Sequence, residues 1–125
     1  MDVDKLNPKA ASILGMKKVI QDLEVKPDMA LIDAEKVETK TDTKSMIKGD
    51  EKSISIAAAS IIAKVSRDQY MSQQDKLYPQ FYFSKHKGYG TIVHLKALKK
   101  YGPIKNFHRF SYKPIQKVIE TLNKK

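Results

Sequence analysis

The sequence predicts an α/β protein, rich in helix and poor in strand. Three observations carry this. Apolar residues recur at helical spacing along most of the chain. One apolar run, Met29-Ala30-Leu31-Ile32, is too short for a helix and follows the breaker Lys26-Pro27-Asp28, so it reads as a buried strand. Between residues 45 and 68, a polar turn leads into a long run of alanine and isoleucine that reads as a helix buried on most faces.

In chain order, Asp4 to Leu23 reads as a helix on Ala10, Ile13, Leu14, Ile20 and Leu23, with Asn7-Pro8 as a possible cap and first helical position that would start it late. The strand Met29–Ile32 ends at Asp33, at a carboxyl end where open α/β sheets place ligands, although an aspartate there can equally just turn the loop. Glu35 to Thr43 reads as loop and Lys44 to Lys48 as a second strand. Lys48-Gly49-Asp50-Glu51-Lys52 is a turn, and Ser53 or Ser55 caps the helix that follows. Ile54 to Val65 is its apolar part; it runs on to about Leu77, where Tyr78-Pro79 ends it, and Asp68 pairs with Arg67 or a nearby lysine.

The segment from Phe81 to Gly90 mixes aromatic and basic residues. Phe81 and Phe83 read as core, whereas Tyr89, between Gly88 and Gly90, reads as a loop-borne ring for stacking beside phosphate contacts. Thr91 caps a helix with Ile92, Leu95, Leu98 and Tyr101 inward, stopped by Gly102-Pro103; His94 on it reads as surface or capping. His108-Arg109 lies in a connector, and Pro114 starts a last helix with Ile115, Val118, Ile119 and Leu122 on one face.

The 125 residues amount to one domain at most, with 41% apolar residues and a net charge of +10. Residues 1–50 carry nine lysines and ten acidic residues; residues 51–125 carry fifteen basic and four acidic residues. A basic half suits a polyanionic partner such as nucleic acid, or simply keeps the chain in solution. There is no cysteine, which removes disulfides and thiolate metal sites. With no apolar span and no secretion signal, an intracellular, cytoplasmic protein without membrane contact is expected. No repeat, Walker or dinucleotide motif occurs. One or two strands this apolar need neighbours on their edges and cover on both faces. They call for strands from another polypeptide or a second copy, or for a larger domain.

Leu31-Ile32-Asp33-Ala34, Ile47-Lys48-Gly49-Asp50-Glu51-Lys52-Ser53 and the segment Ser55 to Asp68 resemble ribonuclease HII, as do Lys85-His86-Lys87-Gly88-Tyr89-Gly90-Thr91, His94-Leu95 and Tyr101-Gly102-Pro103 in the same order. The resemblance covers nearly the whole chain. It implies an incomplete ribonuclease H-like fold, with residues 1–125 as the middle and C-terminal portion of a single domain. It also implies a metal-dependent endonuclease that uses Mg²⁺ or Mn²⁺ to cut the RNA strand of RNA–DNA hybrids, or single ribonucleotides embedded in DNA. Of the family's four carboxylates, two map onto Asp33 and Asp50 as catalytic and metal-binding residues. The other two, an Asp-Glu pair on the first strand, and a Gly-Arg-Gly segment that reads the ribose 2′-hydroxyl, have no counterpart in these residues. In such an enzyme two cations about 4 Å apart clamp the scissile phosphate. The resemblance assigns Tyr89 to stacking on the sugar after the ribonucleotide. Lys48, Lys52 and Ser53 are candidate phosphate contacts near a helix N-terminus, or else loop solubilisers. Two expectations follow: an endoribonuclease acting as a truncated form, completed by an N-terminal complementing segment; or a non-catalytic nucleic-acid-binding chain, or one that borrows strands from another copy.

Overall fold

The computed structural model describes residues 2–123. They form two compact units, an N-terminal one over Asp2–Ala63 and a C-terminal one from Lys64 onward.

In the N-terminal unit, α1 (Asp2–Leu6) and α2 (Pro8–Asp22) replace the single expected helix. Asn7 takes φ 76° between them, and its side-chain oxygen accepts the Ala10 amide hydrogen at 3.1 Å. The later start signalled by Asn7-Pro8 is thus the one observed: proline spends no amide hydrogen at the first helical position. β1 (Met29–Asp33) and β2 (Asp42–Met46) pair in parallel, with Met29 opposite Asp42 and Asp33 opposite Met46. The second strand lies two residues earlier than expected, because Lys48 turns into the left-handed region at φ 54° and closes the extended run. The link through residues 34–41 is pinned by the Ala34 amide donating to the Met46 carbonyl at 2.9 Å, and it buries Val37.

Two burial expectations are corrected. Within β1 only Ile32 is buried; Met29 and Leu31 stand exposed. The sheet has two strands among the described residues, which leaves one edge of each strand unpaired. The long helix α4 (Ile54–Leu77) forms as expected, and the Ser53 hydroxyl oxygen, rather than that of Ser55, lies within 3.4 Å of the Ile56 amide as its cap. Its apolar part is not buried on most faces, however: Ile56 is, but Ile54 is 90% and Ile61 64% exposed. Alanines permit close approach of a neighbour, but among the described residues Ile54, Ile61 and Ile62 stay largely uncovered.

In the C-terminal unit, α4 ends at Leu77 and a 3₁₀ turn (Pro79–Phe81) leads into a short α5 (Phe83–His86). α6 (Ile92–Tyr101) is capped by Thr91, whose hydroxyl oxygen accepts the His94 amide hydrogen at 3.3 Å. Gly102 ends it at φ 76°, and α7 (Lys113–Asn123) follows. The core gathers Met71, Phe81, Phe83, Ala97, Leu98, Ile115 and Val118, with Ile119 and Leu122 packed against it. Phe81 and Phe83 stack at 5.3 Å, as expected of core residues. The inward face of α6 is corrected: it buries His94, Ala97 and Leu98, while Ile92, Leu95 and Tyr101 are exposed. The helical stripe is offset so that an imidazole faces the core, which is tolerated because both ring nitrogens find partners there.

Candidate functional site

In the N-terminal unit, Asp33 ends β1 and Asp50 lies in α3 (Gly49–Lys52), a one-turn helix just beyond β2. The Gly49 amide donates to Asp33 Oδ1 at 2.8 Å, which ties the first aspartate to the residue before the second. Glycine fits closely there. A Cβ on Gly49 would stand 2.7 Å from Ile56 Cδ1 and 3.3 Å from Asp33 Oδ1, so a side chain there would force the buried Ile56 or the carboxylate contact to shift. Asp50 is exposed, and its Oδ1 accepts the Glu51 amide hydrogen at 3.1 Å. Both carboxylates thus keep oxygen lone pairs for a hard cation, although no group of three or more His, Cys, Asp or Glu side chains is placed to hold a metal among the described residues.

The expected phosphate contacts stand around this turn. The Lys48 ammonium pairs with Glu51 at 3.2 Å, an exposed ion pair of little energetic weight. Lys52 is exposed in the last turn of α3, and Ser53 caps α4. Asp68, in the C-terminal unit, pairs with Lys64 at 3.8 Å, in line with a structural role.

Tyr89 lies in the C-terminal unit, and its ring is 65% exposed. The Arg67 guanidinium sits 5.6 Å from the ring centroid and donates to the Lys87 carbonyl at 3.0 Å, so it holds both the ring and its loop. Gly88 adopts φ 83°, where a side chain would be strained. Sequence reasoning missed Arg67, because nothing local marks a partner 22 residues away.

It also missed a chain of buried histidines. The Ile104 amide donates to His108 Nδ1 at 2.9 Å, so the His108 proton sits on Nε2. His108 Nε2 lies 3.1 Å from His94 Nε2, and His94 Nδ1 lies 3.0 Å from the Tyr89 carbonyl, which can only accept. Each neutral ring therefore carries one proton, and each of the four nitrogens is used. His86 stacks on His94 at 4.5 Å and has its own partners, the Phe81 carbonyl and the Gly88 amide. The expectation that His94 is a surface residue is thus corrected. Burial lowers the His94 pKa, and burial followed by the neighbouring His94 lowers that of His108 to about 4. Between pH 4 and the unfolded value near 6.5 the unfolded chain binds more protons, so this contribution to stability is complete above about 6.5 and is lost as pH falls toward 4. Thermal unfolding is expected to show the wild-type melting temperature falling across that window, and His108→Asn is expected to flatten the fall.

Two parallel strands, a long helix beyond their carboxyl ends and an aspartate that ends the first strand belong to a partial ribonuclease H-like α/β fold. The chain belongs to the ribonuclease HII family: the family model described as Ribonuclease HII matches residues 1–115. It is similar to the Ribonuclease HII of Mycoplasma mycoides, 52% identical over 118 residues that cover 93% of this chain and 56% of that protein. It is also similar to the Ribonuclease HII of Natranaerobius thermophilus, 47% identical over 120 residues, covering 95% of this chain and 60% of that one. The crystal structure of the ribonuclease H2 from Pyrococcus horikoshii OT3 shares the fold with a TM-score of 0.76 at 21% identity, covering 98% of this chain and 66% of that one. The chain thus spans about half the length of the curated relatives it matches. No helix among the described residues is long and apolar enough to cross a membrane.

Proposed function

We propose that these residues are the middle and C-terminal portion of a single-domain endoribonuclease that cleaves the RNA strand, or embedded ribonucleotides, of RNA–DNA hybrids. The observation that supports this is the Asp33–Gly49 hydrogen bond, which ties one aspartate to the residue before the other although the two are distant in sequence. Asp33 and Asp50 would hold Mg²⁺ or Mn²⁺, since carboxylate oxygens with free lone pairs suit hard cations that keep water and phosphate ligands. Such an ion, when bound, supplies activation of a water and stabilisation of the leaving oxygen. Asp33 orients through its bond to Gly49; Tyr89 offers a ring face to a sugar; Lys48, Lys52 and Ser53 sit near the α4 N-terminus, where anions are favoured. The remaining carboxylates come from residues outside these 125, and a cytoplasmic location goes with this reading.

A second reading is favoured by the exposed apolar stretch of Ile54, Ile61 and Ile62. In it, the chain alone binds nucleic acid without cutting, or covers that stretch with a second copy. The two readings separate in one assay: the purified chain, with and without a polypeptide carrying the Asp-Glu pair, is incubated with Mn²⁺ and a duplex containing one ribonucleotide. Cleavage that requires the added polypeptide supports the enzyme. Salt-sensitive binding without cleavage, when the two polypeptides are folded and associated, supports the second reading.

A further inference from the structure

We propose that His108 and His94 form a positioning relay that fixes Tyr89 for nucleic-acid binding; this rests on the stacking role given to Tyr89 above. The relay runs from the Ile104 amide to His108 Nδ1, from His108 Nε2–H to His94 Nε2, and from His94 Nδ1–H to the Tyr89 carbonyl. The Tyr89 carbonyl also accepts the Thr91 amide hydrogen at 2.8 Å, so it is held twice and the ring is left in solvent. The direction of the chain is forced. Backbone amide and carbonyl groups fix its two ends, and only the neutral tautomers fit between them. A proton added to His94 would set two N–H groups against each other across 3.1 Å; a proton added to His108 would do the same against the Ile104 amide across 2.9 Å. Charging either ring breaks one bond of the relay.

The groups that face the pair do not compensate such a charge. From α5, His86 stacks on His94 and sits near Asp75 of α4; Asp75 Oδ2 accepts the Ser84 hydroxyl at 2.6 Å and its buried Oδ1 has no partner, but this carboxylate acts on His86 and not on the His94–His108 pair. From α4 and the connector, Arg67 and Arg109 line the same groove, and both are cationic. α7 presents Ile115 there. The site therefore opposes protonation and holds the relay neutral near pH 7. Burial of the two rings and the depressed pKa values agree with this.

The relay makes an unusual prediction about pH. Protonating histidines near a polyanion site ordinarily strengthens binding through added charge. Here acid releases the Tyr89 loop, so affinity for a ribonucleotide-containing duplex falls as pH drops from 7 toward 4. The experiment measures that affinity for the 125-residue chain by fluorescence anisotropy over this range, at fixed salt. Tyr89→Ala is expected to weaken binding at pH 7 by roughly five- to a hundred-fold, the range for a lost stacking contact, and to remove the acid limb. His108→Asn keeps an acceptor for Ile104 and loses the donor to His94; it is expected to weaken binding severalfold alone and not at all in the Tyr89→Ala background. His108→Gln, with an amide N–H reaching toward His94, recovers part of the loss. Equal weakening by His108→Asn with and without Tyr89 would overturn the relay, as would unchanged affinity in His108→Asn alone. If Tyr89→Ala leaves affinity unchanged, or the chain binds no duplex, the stacking reading fails. The relay is then decided by ¹⁵N imidazole spectra and by exchange of the Thr91 amide. A neutral His94 protonated on Nδ1, with faster Thr91 exchange in His108→Asn, supports it; the opposite tautomer or unchanged exchange sinks it.

Discussion

Asp50→Asn and Asp33→Asn are each expected to lower Mn²⁺-dependent cleavage by the complemented enzyme more than about a hundred-fold, because loss of even an outer partner of a metal ligand costs 10–100-fold. The two substitutions differ in a useful way. Asparagine at position 33 still offers an oxygen to the Gly49 amide, so the turn keeps its shape while the charge disappears. A fall with Asp33→Asn therefore reports lost cation affinity rather than a collapsed loop, and raising Mn²⁺ should recover part of it. Gly49→Ala tests the same geometry from the other side. Its methyl group would meet Ile56 at 2.7 Å, and relief of that clash shifts Ile56 or the Asp33 contact, so cleavage should fall although no carboxylate is lost. Asp68→Asn, which removes only an ion pair with Lys64, is the matched control and should leave the rate unchanged. Single-turnover rates decide the matter: full activity in Asp50→Asn would remove that residue from the chemistry.

Phe83→Ala is expected to destabilise the chain by about 3–5 kcal/mol, the usual cost of emptying a buried phenylalanine site. Phe83 has 0% exposure, and its ring stands 5.3 Å from Phe81 and 4.9 Å from Phe107. It also forms one wall of the histidine cluster, 5.7 Å from both His86 and His94. The cavity would open where three elements meet, with little freedom to collapse. Against a typical total of about 5–15 kcal/mol, the loss is large. Urea unfolding should show the midpoint falling steeply, whereas Ile61→Ala, on an exposed stretch of α4, should change the unfolding free energy by no more than about 0.5 kcal/mol. Equal effects from the two would mean that the core is not where Phe83 places it.

What was legible in the sequence follows from how local each signal is. The strand at Met29–Asp33, the Thr91 cap, the stop at Gly102 and the apolar face of α7 all declare themselves within a few residues, and each was found. The same holds for the exposed Tyr89 between two glycines. The long helix was found, but its burial was not, because burial depends on what packs against a helix and the alanine–isoleucine pattern states only what could. The α6 stripe failed for a related reason: a periodicity built on apolar residues alone passes over a histidine that the core accepts through hydrogen bonds. Asp33 and Asp50 in one unit and Tyr89 in the other stand out in the sequence as candidate residue types. The contacts that organise them do not, since Asp33–Gly49, Arg67–Tyr89 and His94–His108 join residues 16, 22 and 14 positions apart.

The bond from Gly49 to Asp33 also gives the chain a built-in reporter. An amide proton that points at a carboxylate has a resonance set by the charge on that oxygen. On the proposed reading a divalent cation at Asp33 would draw electron density from that oxygen, and the Gly49 signal should then shift upfield. Titrating Mg²⁺ into a ¹⁵N-labelled sample would therefore read occupancy directly, without substrate and without turnover.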